Sequence, residues 1–177
     1  MQDSNKKVTR VHYTVFILWL VLTVTAAIYF ISSRLVSYDP EEKLSGQNSV
    51  FVMQELRKIA QLNNVDLSDT IIHFTSDHCA CTQYSEAHKK EINEKAGLTG
   101  FKIINVNLPV NLSTIIPSTP SIMIVSDTQD LLYLGPYSIG LACTESNGYV
   151  ETVMNNYAKG YSSNLILNDA SGCYCNL

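Results

Sequence analysis

The sequence predicts an α/β domain preceded by one membrane-spanning helix. Two patterns carry that prediction. Short β-branched runs alternate with longer segments of helical periodicity from Asn48 to Gly160, and Val11 to Ser33 contains no Asp, Glu, Lys or Arg. The chain has 177 residues, enough for one domain and an appendage, and its 46% hydrophobic content is that of a folded protein.

The N-terminal segment comes first. Its uninterrupted core is Tyr13–Ile31. At about 1.5 Å per helical residue it spans roughly 28 Å, close to the hydrocarbon thickness of a bilayer. Tyr13, Trp19 and Tyr29 supply aromatic anchors. Lys6, Lys7 and Arg10 precede the span, so the N-terminus is expected in the cytoplasm and the rest outside it. The boundaries are 1–12 cytoplasmic, 13–33 transmembrane and 34–47 linker, the last reading LVSYDPEEKLSG at its centre. A cleaved signal peptide with a small-residue site near Thr25-Ala26-Ala27 is the alternative. It fits less well, because the apolar run continues through Ile28–Ile31.

Beyond Arg34 there are 8 Lys and Arg against 15 Asp and Glu. An acidic domain without a basic stripe argues against nucleic acid as a partner. All five cysteines (Cys79, Cys81, Cys143, Cys173, Cys175) lie in this part. Disulfides form there if the compartment is oxidising, and an odd count leaves at least one thiol over.

Along the domain, 48–160, the elements follow in order. Ser49–Leu62 places Val52, Leu56, Ile59 and Leu62 near helical spacing. Thr70–Thr75 is a strand, and Gln83–Gly97 a helix with Gly97 as its stop. Phe101–Asn107 is a strand, followed by a proline-rich irregular stretch. Ser121–Ser126 and Leu131–Gly135 form a hairpin around Asp127–Asp130, and Tyr149–Lys159 is the last helix. Two strands separated by a helix favour a parallel crossover, so a small mixed sheet covered by helices on both faces is expected. Residues 161–177 are a tail carrying a second CxC.

The chemistry concentrates in TSDHCACTQYSEAH, Thr75–His88. Cys79 and Cys81 stand just before a predicted helix, where unpaired N–H groups and the macrodipole favour a thiolate. His78 would add to this if protonated. A disulfide between Cys79 and Cys81 needs a turned loop, since an extended intervening residue puts the Cα atoms near the upper end of the range that a bridge allows.

A strand, cysteines at a strand–helix junction, and Thr119-Pro120 ahead of a hairpin strand together resemble the thioredoxin superfamily. More narrowly they resemble membrane-anchored proteobacterial thioredoxin-like proteins with a CxC motif. The resemblance implies a three-layer α/β/α fold and thiol–disulfide oxidoreductase activity without an organic cofactor. It implies Cys79 as nucleophile, Cys81 as resolving thiol, and Thr119 with a cis Pro120 shaping a peptide-binding edge. The expected partners are protein thiols or disulfides of the envelope, with the chain in the bacterial inner membrane and its domain in the periplasm. The sequence departs from the family in having His-Cys-Ala-Cys for the usual WCGPC, and His73 where a buried acid is common. His73 and His78 are thus candidate proton relays, although a hydrogen-bonded half-buried His73 and a solvated His78 are the plainer readings.

His88, beside Lys89 and Lys90, reads as solvated. Cys173 and Cys175 read either as a structural tie for the tail, with Cys143 a possible partner, or as an accessory redox pair. Two competing functions stand beside the exchanger. One is a Cu(I)- or Zn(II)-handling protein using the two thiolates and His78. The other is a binding scaffold without catalysis. No phosphate-binding glycine loop, HExxH or G-x-S-x-G is present.

Overall fold

The computed structural model describes residues 2–32, 35–77, 79–109, 114–140 and 148–177. His78 and Cys143 lie outside them. The chain divides into two compact units, Met1–Leu35 and Val36–Leu177.

The first unit is one helix, α1 (Gln2–Ser32). Its stretch Arg10–Ser32 holds an 18-residue window of mean hydropathy 2.4 and is long and apolar enough to cross a membrane. Its threonines donate to carbonyls one turn back, Thr23 to Trp19 at 2.8 Å and Thr25 to Val21 at 2.8 Å. Their hydroxyls are thereby satisfied within the helix.

The second unit is built on five strands. β1 is Val36–Ser37, α2 Ser49–Leu56, β2 Thr70–Ser76 and α3 Thr82–Thr99. Then follow β3 (Lys102–Leu108), β4 (Ser118–Thr119), β5 (Ser121–Val125) and β6 (Leu131–Pro136). The last elements are α4 (Tyr149–Ala158), β7 (Leu165–Ile166), β8 (Ser171–Gly172) and β9 (Cys175–Asn176). The main sheet has the order β3-β2-β5-β6-β7. β2 runs parallel to β3 and antiparallel to β5, β5 antiparallel to β6, and β6 parallel to β7. The sheet is therefore mixed, as expected.

Period-two alternation divides the core. Ile72, Phe74, Met123 and Val125 pack with Val52 and Leu56 of α2. Ile71, Ile122 and Ile124 pack with Ile92 and Ala96 of α3 and with Val150, Val153 and Met154 of α4. One helix covers one face and two cover the other.

Four details differ from the sequence reading. α2 stops at Leu56 rather than Leu62. The chain then tightens into i→i−3 turns, with Ile59 N–H on Leu56 O at 3.0 Å and Leu62 N–H on Ile59 O at 2.9 Å. Ile59 and Leu62 stay buried, so their spacing reported burial rather than helix length. α3 runs through Gly97 and ends at Gly100, whose φ of 82° supplies the left-handed cap. Replacing Gly100 by Ala should cost about 1 kcal/mol. Gly97→Ala, in an open position inside the helix, should stabilise by about 0.5–1 kcal/mol. Thermal melts of the two variants check the pair of opposite signs.

The residues read as linker and as tail also fold into the domain. Tyr38 and Leu44 are buried, and the Asp39 carboxylate accepts from the backbone N–H of Lys43 and Leu44 at 2.8 and 2.7 Å. β1 pairs antiparallel with β8, β7 adds a fifth strand, and β9 pairs antiparallel with β4. The tail is thus woven into the domain at three places.

Candidate functional site

The cysteines sit where β2 hands over to α3. Cys79 N–H reaches Ser76 O at 3.4 Å, Thr82 N–H reaches Cys79 O at 3.2 Å, and Cys81 is the residue preceding the first helical turn. This is the junction expected from sequence. Cys79 is buried and Cys81 half-buried. The Thr119–Pro120 peptide is cis. Cys79 Sγ lies 3.4 Å from Thr119 O, and the Thr119 and Ser76 hydroxyls are hydrogen-bonded at 2.7 Å. Thr119 therefore borders Cys79 directly, with Pro120 the next residue in the chain. On another side Cys79 opens onto a polar cleft of about 520 Å³, whose lining includes Asp77, Glu86, Lys89 and Asn107.

The pairing of the thiols differs from a bridge within each motif. Cys79 is bonded to Cys175 and Cys81 to Cys173, with Cα separations of 5.8 and 5.6 Å. The local reason is how the tail is tied down. Cys173 sits at the bend after β8, and Cys175 opens β9. Tyr174 packs edge-on against Tyr38, with ring centroids 5.4 Å apart, and its hydroxyl donates to Ser138 O at 2.7 Å. A Cβ on Gly172 would stand 2.6 Å from the Tyr174 hydroxyl, so glycine is what lets the ring fold back there. Register then does the rest: Thr119 pairs with Cys175 and Ser118 with Asn176. Cys175 is thereby laid against the strand that precedes Pro120, with Cys173 two residues back bonded to Cys81. The sulfurs of Cys79, Cys81 and Cys175 lie within 4.8 Å of one another.

Of the two candidate relay histidines, His73 is among the described residues. His78 lies outside the described residues. His73 is fully buried, and both its ring nitrogens are engaged. Nε2–H donates to Asn93 Oδ1 at 2.8 Å, and Nδ1 accepts from the Tyr137 hydroxyl. Neither nitrogen is left for a cysteine, so the bonding favours the hydrogen-bonded reading, with full rather than half burial. His73 thus sits in the core, hydrogen-bonded at both nitrogens. Burial holds this imidazole down to about 4, with the charge of Lys89 adding to the fall against the Asn93 bond.

The sign of the pH effect follows. Below about 6.5 the unfolded chain binds a proton that the native histidine refuses. The stability contribution is complete above that pH and is lost as pH falls toward 4, about 3 kcal/mol in all. Urea melts at pH 7 and pH 4.5 should show most of this loss in the wild type and a much flatter response in His73→Gln.

Sequence reading also missed a buried histidine–carboxylate contact. His88 is buried, not solvated, and its Nε2 meets Glu151 Oε1 between α3 and α4. Glu151 Oε2 accepts Gly148 N–H at 3.1 Å, closing the first turn of α4. Tyr137 stacks on His73 and stands edge-on to His88, linking the two histidines. The available signal was the four-residue spacing of His88, Ile92 and Ala96, which puts all three on one helix face.

A sequence profile described as a domain of unknown function, DUF6436, matches residues 47–177. The chain belongs to that family, and the match contains both CxC motifs. No curated protein and no solved structure matches the chain.

Proposed function

We propose that this chain is a membrane-anchored thiol–disulfide oxidoreductase of thioredoxin-like architecture, in which the two CxC motifs work as one relay. The carrying observation is the crossed pairing of four cysteines, with a third sulfur, that of Cys81, within 4.8 Å of both members of the Cys79–Cys175 bridge. The cis peptide at Thr119–Pro120 beside Cys79 and the helix-covered mixed sheet support the architecture. The basic residues before Arg10–Ser32 support a cytoplasmic N-terminus, an inner-membrane anchor and a periplasmic domain.

A thiolate of a partner dithiol attacks Cys79 Sγ, forming a mixed disulfide and expelling the Cys175 thiolate. The partner's second thiolate attacks its own sulfur in that mixed disulfide and releases the Cys79 thiolate. The partner has lost two electrons. Cys79 then attacks Cys81 Sγ, forming a Cys79–Cys81 disulfide and expelling the Cys173 thiolate. The two electrons now rest on Cys173 and Cys175. The short reach between sulfurs makes that last exchange intramolecular. Run backwards, the same steps deliver electrons to a partner disulfide. Unpaired N–H groups at the start of α3 favour the thiolates at Cys79 and Cys81.

The test is a redox titration of the full-length chain in detergent, using graded glutathione buffers and alkylation trapping. An exchanger titrates between about −120 and −270 mV. Bridges that persist below roughly −300 mV are structural and would favour the scaffold reading.

A further inference from the structure

The geometry points to a second use of the same four sulfurs: in the reduced protein they form a binding site for one thiophilic d¹⁰ cation, Zn(II) or Cu(I). Opening both bridges takes four electrons, supplied in the test by two equivalents of a phosphine, and leaves four thiols. The inference needs only that a chemical reductant opens the bridges. It does not need the protein to exchange disulfides with a partner.

Three observations carry it. The sulfurs of Cys79, Cys81 and Cys175 already lie within 4.8 Å of one another. Two thiolates on one zinc ion, at about 2.3 Å each, stand at most roughly 4.6 Å apart, so side-chain adjustment alone brings the three to a common ion. Cys173, bonded to Cys81 in the oxidised state, is placed as the fourth ligand.

The second observation is that the two halves of the ligand set are positioned without the bridges. Cys79 and Cys81 are fixed by the turn from Ser76 into α3. Cys173 and Cys175 are fixed by the β8 and β9 pairings and by Tyr174 against Tyr38. The third is the donor chemistry. Four sulfurs, with no carboxylate grouped among them in the described residues, select soft or borderline cations and disfavour Mg²⁺ and Ca²⁺. The ligand set differs from the one expected on sequence, because it draws on the tail rather than on His78. Oxidation to the crossed bridges removes all four donors, so metal occupancy is coupled to redox state.

The test uses full-length protein in detergent, reduced with phosphine and desalted without oxygen. Zn(II) and Cu(I) are each titrated against a chromophoric competitor. The expected result is one ion per chain for at least one of them, no binding by the oxidised protein, and a raised Tm of the reduced protein on loading. Cys175→Ser should weaken that binding by at least about tenfold, the lower end of the cost of disturbing even an outer-shell partner. Co(II) loaded into the reduced wild type reports the sulfurs through its thiolate charge-transfer bands, independently of any variant's folding. The inference is overturned if neither ion binds stoichiometrically. It is also overturned if Cys175→Ser binds like wild type, or if Co(II) shows no thiolate bands. Failure of exchange with glutathione, by contrast, would bear only on the oxidoreductase reading.

Discussion

Loss of both bridges destabilises the domain by about 6–7 kcal/mol, well beyond the sum of the two single losses. The bridges close nearly the same loop, with sequence separations of 96 and 92. Whichever forms first removes most of the loop entropy, about 4.7 kcal/mol for a loop of that size. The second then closes only the small ring between the two motifs, worth about 2 kcal/mol. Cys175→Ala or Cys173→Ala alone should therefore cost about 2 kcal/mol, because the remaining bridge still holds the long loop. Guanidinium unfolding of the two single variants and the double variant, followed by circular dichroism, measures the cycle. Pairing inside each motif would give a different result: two tiny loops, losses that add, and a total near 3 kcal/mol.

Glu151→Leu is expected to cost about 3–5 kcal/mol, the cost of leaving one member of a buried pair without its partner. Burial pushes the Glu151 carboxyl up. The His88 hydrogen bond, backbone bonding and the Lys95 charge outweigh it and hold the group below its ordinary value. A depressed carboxyl contributes stability above its unfolded pKa, and that contribution is lost as pH falls through the folded value. The variant removes this contribution together with the cap on Gly148 N–H. The double variant His88→Leu/Glu151→Leu should recover most of the loss, since an apolar pair of similar volume is often neutral or better. A single-variant cost below about 1 kcal/mol would show that the pair is not held as described.

Much of the core was legible because it obeys a period. β2, β3, β5 and β6 are runs of five to seven residues rich in Ile, Val and Leu, and the hairpin carries its own turn residues. The short strands β1, β4, β7, β8 and β9 have two residues each. Two residues cannot display a period, and their pairing depends on partners distant in sequence. That is why LVSYDPEEKLSG looked like a linker although Tyr38 and Leu44 are buried. It is also why the tail looked separate.

The site was half legible. The strand–helix junction with Thr119-Pro120 downstream pointed to Cys79 and Cys81. Spacing alone says nothing of which cysteines meet, because connectivity is a property of the tertiary fold. The crossed arrangement rests on the β4–β9 register and on Tyr174 packed against Tyr38 between the two cysteines. His88 was misread because Lys89 and Lys90 suggested a solvated face, while the helical repeat to Ile92 and Ala96 was the better guide.

The most direct measurement is partial reduction. Full-length oxidised protein receives one equivalent of a two-electron reductant, is quenched with acid, alkylated, and mapped by mass spectrometry. The relay predicts that before reduction the two CxC peptides are joined to each other. After one equivalent the dominant species carries a Cys79–Cys81 bridge with Cys173 and Cys175 alkylated. Persistence of either crossed bridge in the two-electron-reduced protein, with no Cys79–Cys81 species, would contradict it.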